Sequence, residues 1–283
     1  MSGTGKPRRR IMVVEDDRVL RHALCKLLEG AGYGVAGVSD GREALQLLNR
    51  KKFDLMLLDI GLPRMNGLEV LARLRARKTR PKVVVMTVDD TPETLLQAVR
   101  EQAYRYVKKP FAPNLILELV EGALAVTDTA TIEVLSARPN WVELLVPCQL
   151  QVAERIEAFL MELKADLPDE VRESVGRAFR ELLCNAIEWG GKLDPNRKVR
   201  IACLSTPRML LYRIADPGTG FRLEELTHAA VGNPPDKPLE HVKARNEKGL
   251  RPGGFGIQIV RAMVDDLLYN EAQNEVVFVK YLG

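Results

Sequence analysis

Two halves of different class are what this sequence predicts: an α/β half built on a five-stranded, doubly wound parallel sheet, then an α+β sandwich with its sheet covered on one face. Three observations carry that reading. Ile11 to Val14, Leu55 to Leu58 and Val83 to Met86 are apolar at every position, which marks strands buried on both faces. Segments with apolar residues at helical spacing lie between them, so strand and helix alternate. After residue 131 that alternation stops: two strands share a short turn, helices follow in succession, and further strands close the sequence.

The first half reads in order as follows. The strand Ile11 to Val14 ends in Glu15-Asp16-Asp17, and Leu20, Leu24, Leu27 and Leu28 define a helix stopped by Gly30 and Gly32. Val35 to Val38 is a strand, and Asp40 caps the helix carrying Ala44, Leu45 and Leu48. The strand Leu55 to Leu58 ends in Asp59, and Pro63 with Asn66-Gly67 marks a loop before the helix through Leu68, Leu71 and Leu74. Val83 to Met86 ends in Thr87, and Pro92 opens a helix through Leu95, Leu96 and Val99. Tyr104 to Val107 ends in Lys108-Lys109-Pro110, and a last helix runs from about Pro113 to Val126.

Composition bounds the possibilities. A length of 283 residues suggests about two domains, each able to bury a core. Forty-two Lys and Arg against 38 Asp and Glu leave a charge of +4, too small an excess to argue for a nucleic-acid partner, which usually requires a concentrated basic face. Residues 1–9 read as a basic solvated tail, since no apolar region follows it, and no stretch is long enough to span a membrane. The four cysteines, Cys25, Cys148, Cys184 and Cys203, lack metal-binding spacing and fit buried thiols in a reducing cytoplasm.

The ends of four strands carry complementary groups: Glu15 and Asp16, Asp59, Thr87, and Lys109. In open α/β sheets chemistry sits beyond the carboxyl ends of the strands. Acids converging on one pocket repel one another unless a cation joins them, and hard oxygen donors suit Mg²⁺. Near a metal and an ammonium group, Asp59 stays ionised and can attack phosphorus to form an aspartyl phosphate. Lys109 would offset charge on the phosphoryl oxygens, and the Thr87 hydroxyl could donate to one of them.

Val13 to Asp17, Leu58-Asp59 with Pro63 and Gly67, Met86-Thr87, and Lys109-Pro110-Phe111 together resemble a response-regulator receiver domain of flavodoxin-like fold, over residues 10–126. The resemblance implies that Glu15 and Asp16 form the acidic metal pocket, with Asp59 as phosphoacceptor and the Gly61 carbonyl as a further ligand. It also implies Thr87 as the switch hydroxyl, Tyr106 as the switch aromatic and Lys109 as the phosphate-binding lysine. Val88 departs from the small residue usual there, which predicts slower access of water to the phosphoryl group.

Residues 127–131 read as a linker, and 132–283 as the second domain. Strands are expected at Ile132 to Leu135, Trp141 to Val146, Val199 to Leu204, Met209 to Ala215, Leu267 to Tyr269 and Val276 to Tyr281. Helices run through Val152 to Leu163, from Pro168 to Gly190-Gly191, and from Gly256 through Met263. Three clusters carry chemistry. Glu181 and Asn185 share one helix face and can hold a metal ion and activate a hydroxyl. Asp216, at a strand end before Gly218 and Gly220, can accept from the amino group of a purine. Gly253-Gly254-Phe255-Gly256 precedes a helix, where free N–H groups make an anion site.

In this order the clusters resemble the N, G1 and G2 boxes of the GHKL ATPases, and Arg180 to Glu188 is most similar to the anti-sigma factor serine kinases. That resemblance implies ATP and Mg²⁺ as cofactors. Asn185 would be the metal ligand, Asp216 the adenine reader, Gly218, Gly220, Gly254 and Gly256 the nucleotide cradle, and Glu181 the general base. Arg222 to Pro252 would form a lid over the nucleotide, and Trp189 stands where histidine is common.

The expected function is a cytoplasmic two-component response regulator in a phosphorelay. An upstream histidine kinase phosphorylates Asp59, and this controls an ATP-dependent serine/threonine kinase acting on an anti-sigma antagonist, with a sigma factor as ultimate partner. The alternative is a phosphorylation-gated ATP-binding module that sequesters a partner and transfers nothing. A hybrid histidine kinase is disfavoured: His22, His228 and His241 do not lie on a helical hairpin between the halves. No direct nucleic-acid or membrane partner is expected, and a homodimer stays open.

Overall fold

The computed structural model describes residues 8–77, 79–88, 91–125, 131–164, 166–220, 243 and 255–283. The chain divides into two compact units, Met1–Thr129 and Ala130–Gly283.

In the first unit, strands β1 (Arg10–Val14), β2 (Gly34–Val38), β3 (Leu55–Asp59), β4 (Lys82–Thr87) and β5 (Arg105–Lys108) alternate with helices α1 (Arg18–Gly30), α2 (Gly41–Arg50), α3 (Gly67–Arg75), α4 (Pro92–Arg100) and α5 (Pro113–Ala125). The strands form one parallel sheet in the order β2-β1-β3-β4-β5. Uniformly apolar strands arise because alternate residues enter two different cores. Met12, Val14, Met56, Leu58, Val83 and Val85 pack with residues of α2, α3 and α4. Ile11, Val13, Leu55, Leu57, Val84 and Met86 pack with Leu24 and Leu28 of α1 and with Ile116 and Val120 of α5. A polar residue on either face would lose its solvation.

Side chains start three of these helices, the expected Asp40 cap among them. Asp17 accepts from Leu20 N at 2.7 Å, Asp40 from Arg42 N at 2.6 Å, and Asn66 from Leu68 N at 2.7 Å. Each satisfies an N–H that the first turn leaves unpaired, a gain of about 1 kcal/mol.

The second unit is an antiparallel sheet of six strands, in the order β10-β11-β9-β8-β7-β6. These are β6 (Glu133–Arg138), β7 (Trp141–Pro147), β8 (Lys198–Ser205), β9 (Met209–Ala215), β10 (Asp266–Tyr269) and β11 (Glu275–Tyr281). The helices are α6 (Leu150–Glu162), α7 (Asp169–Asn185) and α8 (Gly256–Met263), and α7 packs against both others. Val142, Leu144, Ile201, Cys203, Tyr212, Ile214, Val276 and Phe278 form the buried face. The Tyr212 ring stacks on Phe278 at 4.8 Å and meets Phe179 of α7 at 5.5 Å, which fixes helix to sheet. The opposite face carries the ion pairs Arg213–Glu275 and Arg200–Glu143, at 2.7 and 2.6 Å.

Two segments differ from the sequence expectation. β6 continues to Arg138 because its register shifts between Val134 and Ser136, so the strand absorbs one extra residue. The helix expected to reach Gly190 stops α-helical bonding at Asn185 and ends in a π turn, Ala186–Gly190, in which Gly191 N donates to Ala186 O at 2.8 Å. The expected lid apart from residue 243, Gly253 and Gly254, and the linker residues 127–130 lie outside the described residues. Among the described residues, no helix is long and apolar enough to cross a membrane.

Candidate functional site

The first pocket lies where the strand order reverses, between β1 and β3. A chain that leaves β1 toward one face and β3 toward the other opens a crevice beyond their carboxyl ends. Glu15, Asp16 and Asp59 converge there, with one oxygen from each lying within 4.8 Å of the others. Glu15 is 1% exposed and Asp59 5%, whereas Asp16 is open to solvent. Lys109 enters from the loop after β5, its Nζ 2.7 Å from Glu15 Oε2 and 2.9 Å from Asp59 Oδ2. Thr87 is buried at the end of β4, and its carbonyl accepts from Lys109 N at 2.7 Å, which ties the two strand ends together. Tyr106 is half-buried on β5.

Burial and opposite charges compete in this pocket. Burial pushes the Glu15 carboxyl up, and the hydrogen bond from Lys109 only partly offsets it. Burial opposes the charge on Lys109, but its bonds to Glu15 and Asp59 outweigh that and hold its pKa above the ordinary lysine value. The all-oxygen donor set, with one open carboxylate, fits a hard divalent cation such as Mg²⁺ better than a soft one.

The backbone around Asp59 is equally constrained. Gly61 N donates to Asp59 Oδ1 at 3.1 Å. A Cβ on Gly67 would fall 2.2 Å from Asp59 O, so only glycine lets α3 start beside the strand end. Arg21 of α1 was not indicated by the sequence. Its Nη1 donates to the carbonyls of Glu15 and Asp16 at 2.6 and 3.0 Å and shapes the acidic loop.

The second pocket is built differently. Glu181 and Asn185 lie one turn apart near the end of α7. The start of α8 comes against them: a Cβ on Gly256 would stand 2.7 Å from Glu181 Oε2 and 3.7 Å from Asn185 Nδ2. The π turn then brings Gly190 onto Asp216, where a Cβ would lie 2.1 Å from both Cγ and Oδ1. Asp216 Oδ1 accepts from Gly218 N at 2.7 Å, and burial holds its carboxyl above the ordinary aspartate range. Arg197 donates to the carbonyl of Pro217 in the same loop. Gly220 has φ +84°, and a Cβ there would overlap Ala272 O. The structure therefore brings Glu181, Asn185 and Gly256 together, and joins Asp216, Gly218 and Gly190. The contact of Gly190 had no sequence signal beyond its place at a helix end.

Comparison with known proteins assigns both halves. The response regulator receiver domain family matches residues 11–121, and the histidine kinase-like ATPase domain family matches residues 147–280. The DNA-binding response regulator MtrA of Mycolicibacterium paratuberculosis is 33% identical over 184 residues, which cover 65% of this chain and 80% of that protein. The response regulator MprA of Mycolicibacterium vanbaalenii is 36% identical over 115 residues, 41% of this chain and 50% of its own length. Among solved structures, the chemotaxis response regulator CheY4 of Vibrio cholerae is 27% identical with a TM-score of 0.40, covering 41% of this chain and 99% of that one. The ATPase domain implies ATP binding, and the receiver implies a phosphodonor partner such as a histidine kinase. The chain belongs to the response regulators, with a receiver domain followed by a histidine kinase-like ATPase domain.

Proposed function

We propose that the chain is a phosphorylation-controlled protein serine/threonine kinase, with Asp59 as the input and the Glu181–Asn185 pocket as the output. One observation supports the input above all others: the Lys109 ammonium stands 2.9 Å from Asp59 Oδ2 inside a cluster of three carboxylates. An Asp59 oxygen attacks the phosphorus of a phosphohistidine, the P–N bond breaks, and the imidazole leaves with a proton. Lys109 then follows the phosphoryl oxygens, and the Thr87 hydroxyl donates to one of them. Glu15, Asp16, Asp59 and the Gly61 carbonyl would hold Mg²⁺, which supplies positive charge against those oxygens.

In the second unit, Asp216 accepts from the adenine amino group, Gly218, Gly220, Gly254 and Gly256 cradle the nucleotide, and the N–H groups at the start of α8 form the anion site for its phosphates. Asn185 would be the metal ligand there. Glu181 takes the proton of a serine or threonine hydroxyl, the hydroxyl oxygen attacks the γ-phosphorus, and ADP leaves. The approach of Gly256 to both Glu181 and Asn185 supports this arrangement. The protein substrate we infer is an anti-sigma antagonist, in a circuit that sets the availability of a sigma factor.

The test is transfer from γ-labelled ATP to candidate antagonists, with the receiver charged by acetyl phosphate and with Asp59→Ala. Label on a serine or threonine of an antagonist, lost in Glu181→Ala and Asn185→Ala, is the expected result. Transfer persisting in both variants would refute the kinase assignment. ATP binding with partner capture and no product would replace it with a sequestering module.

A further inference from the structure

The Asp216–Gly220 loop does not hold itself. Its internal hydrogen bond, Gly218 N to Asp216 Oδ1, closes one turn, and contacts from outside the loop seat that turn. Arg197 donates to Pro217 O and Gly190 packs on the Asp216 side chain, and the turn between β10 and β11 adds two further bonds. Asp216 N donates to Asn274 O at 2.8 Å, and Asn274 Nδ2 donates to Gly218 O at 3.0 Å. Asn274 thus grips the loop at both ends of the turn that carries the carboxylate. Gly220 presses on the same hairpin at Ala272 O, a contact only glycine permits.

Asn274 is itself braced. Asn270 Oδ1 accepts from the backbone N–H of Asn274 and of Glu275, each at 3.1 Å, and Asn270 Nδ2 donates to Asn274 Oδ1 at 2.8 Å. With its oxygen engaged by Asn270, the Asn274 amide can only present its NH₂ to Gly218. Gln273 between them takes φ +59°, in the left-handed region, which helps the chain reverse between the two asparagines. The consequence falls on Asp216. Oδ1 is held by Gly218 N, and among the described residues no hydrogen bond reaches Oδ2. The direction in which Oδ2 points then follows the seating of the loop, to which the Asn274 amide contributes its bond to Gly218 O.

We propose that Asn274, braced by Asn270, is a positioning residue for base recognition: it aims Asp216 Oδ2 at the donor on the nucleotide base. This rests on the reading of Asp216 as the adenine acceptor. The prediction is selective. Loss of the clamp weakens recognition of the base more than binding of the triphosphate, because Asn274 touches the Asp216 loop and not the Glu181–Asn185–Gly256 cluster.

The experiment uses the full chain and two probes, ATP and ITP, which carry an amino group and a carbonyl at the same ring position. Asn274→Asp keeps the size and the backbone bonds but puts a carboxylate against the Gly218 carbonyl. We expect affinity for ATP to fall about tenfold, the scale of one well-placed hydrogen bond. ITP affinity should change little, so the ATP-over-ITP preference collapses. Asn270→Ala should move the preference in the same direction by less, and it decides the matter if Asn274→Asp fails to fold. A wild-type chain that binds both nucleotides equally would overturn the reading of Asp216. A wild-type preference that survives in the folded variants would leave that reading standing and overturn the clamp.

Discussion

The two pockets, each proposed to hold phosphate beside carboxylates, are built by opposite means. In the receiver the site is built from charge: three acids and a lysine crowd into a space where Glu15 and Asp59 are nearly solvent-free. In the ATPase unit it is built from absent side chains, with Gly190, Gly218, Gly220 and Gly256 letting backbone and carboxylate approach closer than any Cβ would allow. A charge-built pocket changes its energy when one charge arrives or leaves, which suits an input. A space-built pocket is fixed by steric contact and binds one shape, which suits a nucleotide site. The two should therefore fail in different ways.

The largest expected effect is steric. Gly190→Ala places a Cβ 2.1 Å from Asp216 Cγ and 2.5 Å from its Cβ, so the whole short Asp216 side chain must leave its place. ATP affinity should fall more than about tenfold, with the second unit destabilised by about 1–3 kcal/mol. Acceptance of a phosphoryl group from acetyl phosphate should be untouched. Gly256→Ala is the milder partner, because its Cβ meets the mobile end of Glu181. Calorimetry with ATP and a denaturant titration read both. Normal ATP binding by Gly190→Ala would break the contrast drawn here.

The charge-built pocket answers to a charge deletion. Lys109→Met leaves Glu15 and Asp59 facing each other without the ammonium that bridges them at 2.7 and 2.9 Å. Breaking such a buried pair costs on the order of 3 kcal/mol. Chelator should deepen the loss and added Mg²⁺ should recover part of it, while ATP affinity stays unchanged. Urea melts of the full chain with and without Mg²⁺ measure this. A variant as stable as the wild type in chelator would mean that the carboxylates are satisfied by something other than Lys109.

This contrast also explains what could be read in the sequence. Asp59, Glu15, Thr87 and Lys109 stood out because each is a polar residue at or just past the end of a strand, and the parallel sheet brings such ends together. The strands of both sheets were legible for the same reason of patterning. Arg21 left no trace, since it acts through backbone carbonyls that any sequence supplies. Gly67 and Gly190 looked like turn glycines, although Gly67 is required by contact with the end of the preceding strand and Gly190 by contact with Asp216, distant in sequence. Asn270 and Asn274 likewise resembled an ordinary hairpin turn. Steric vacancy and backbone contact depend on the folded arrangement, and one-dimensional spacing does not record them.

Acid pH separates stability from binding at Asp216. Burial raises its folded pKa, so the folded chain takes up a proton at a pH where the unfolded chain is still ionised. As pH falls from that raised value toward the ordinary aspartate value, the second unit gains stability. Over the same window the carboxylate we propose as the acceptor of the adenine amino group is lost, and ATP affinity should fall by up to about tenfold per pH unit. The two curves should run in opposite directions, and Asp216→Asn should flatten both. Parallel loss of stability and affinity would assign the effect to general acid unfolding.

The smallest expected effect concerns the cover of the receiver pocket. Val88 follows Thr87, and its bulk argued for slow entry of water to a phosphorylated Asp59. In the structure the Val88 side chain is 72% exposed, so its methyl groups spend most of their surface on solvent. Val88→Ala should shorten the half-life of the aspartyl phosphate by only about twofold, or ~0.4 kcal/mol of barrier. Dephosphorylation of the acetyl phosphate-charged chain in Mg²⁺ buffer measures it. If charge governs this pocket, Lys109→Met will change the phosphorylation chemistry far more than Val88→Ala. A tenfold acceleration in Val88→Ala would instead show that steric cover sets the lifetime, and the receiver would then share the logic of its neighbour.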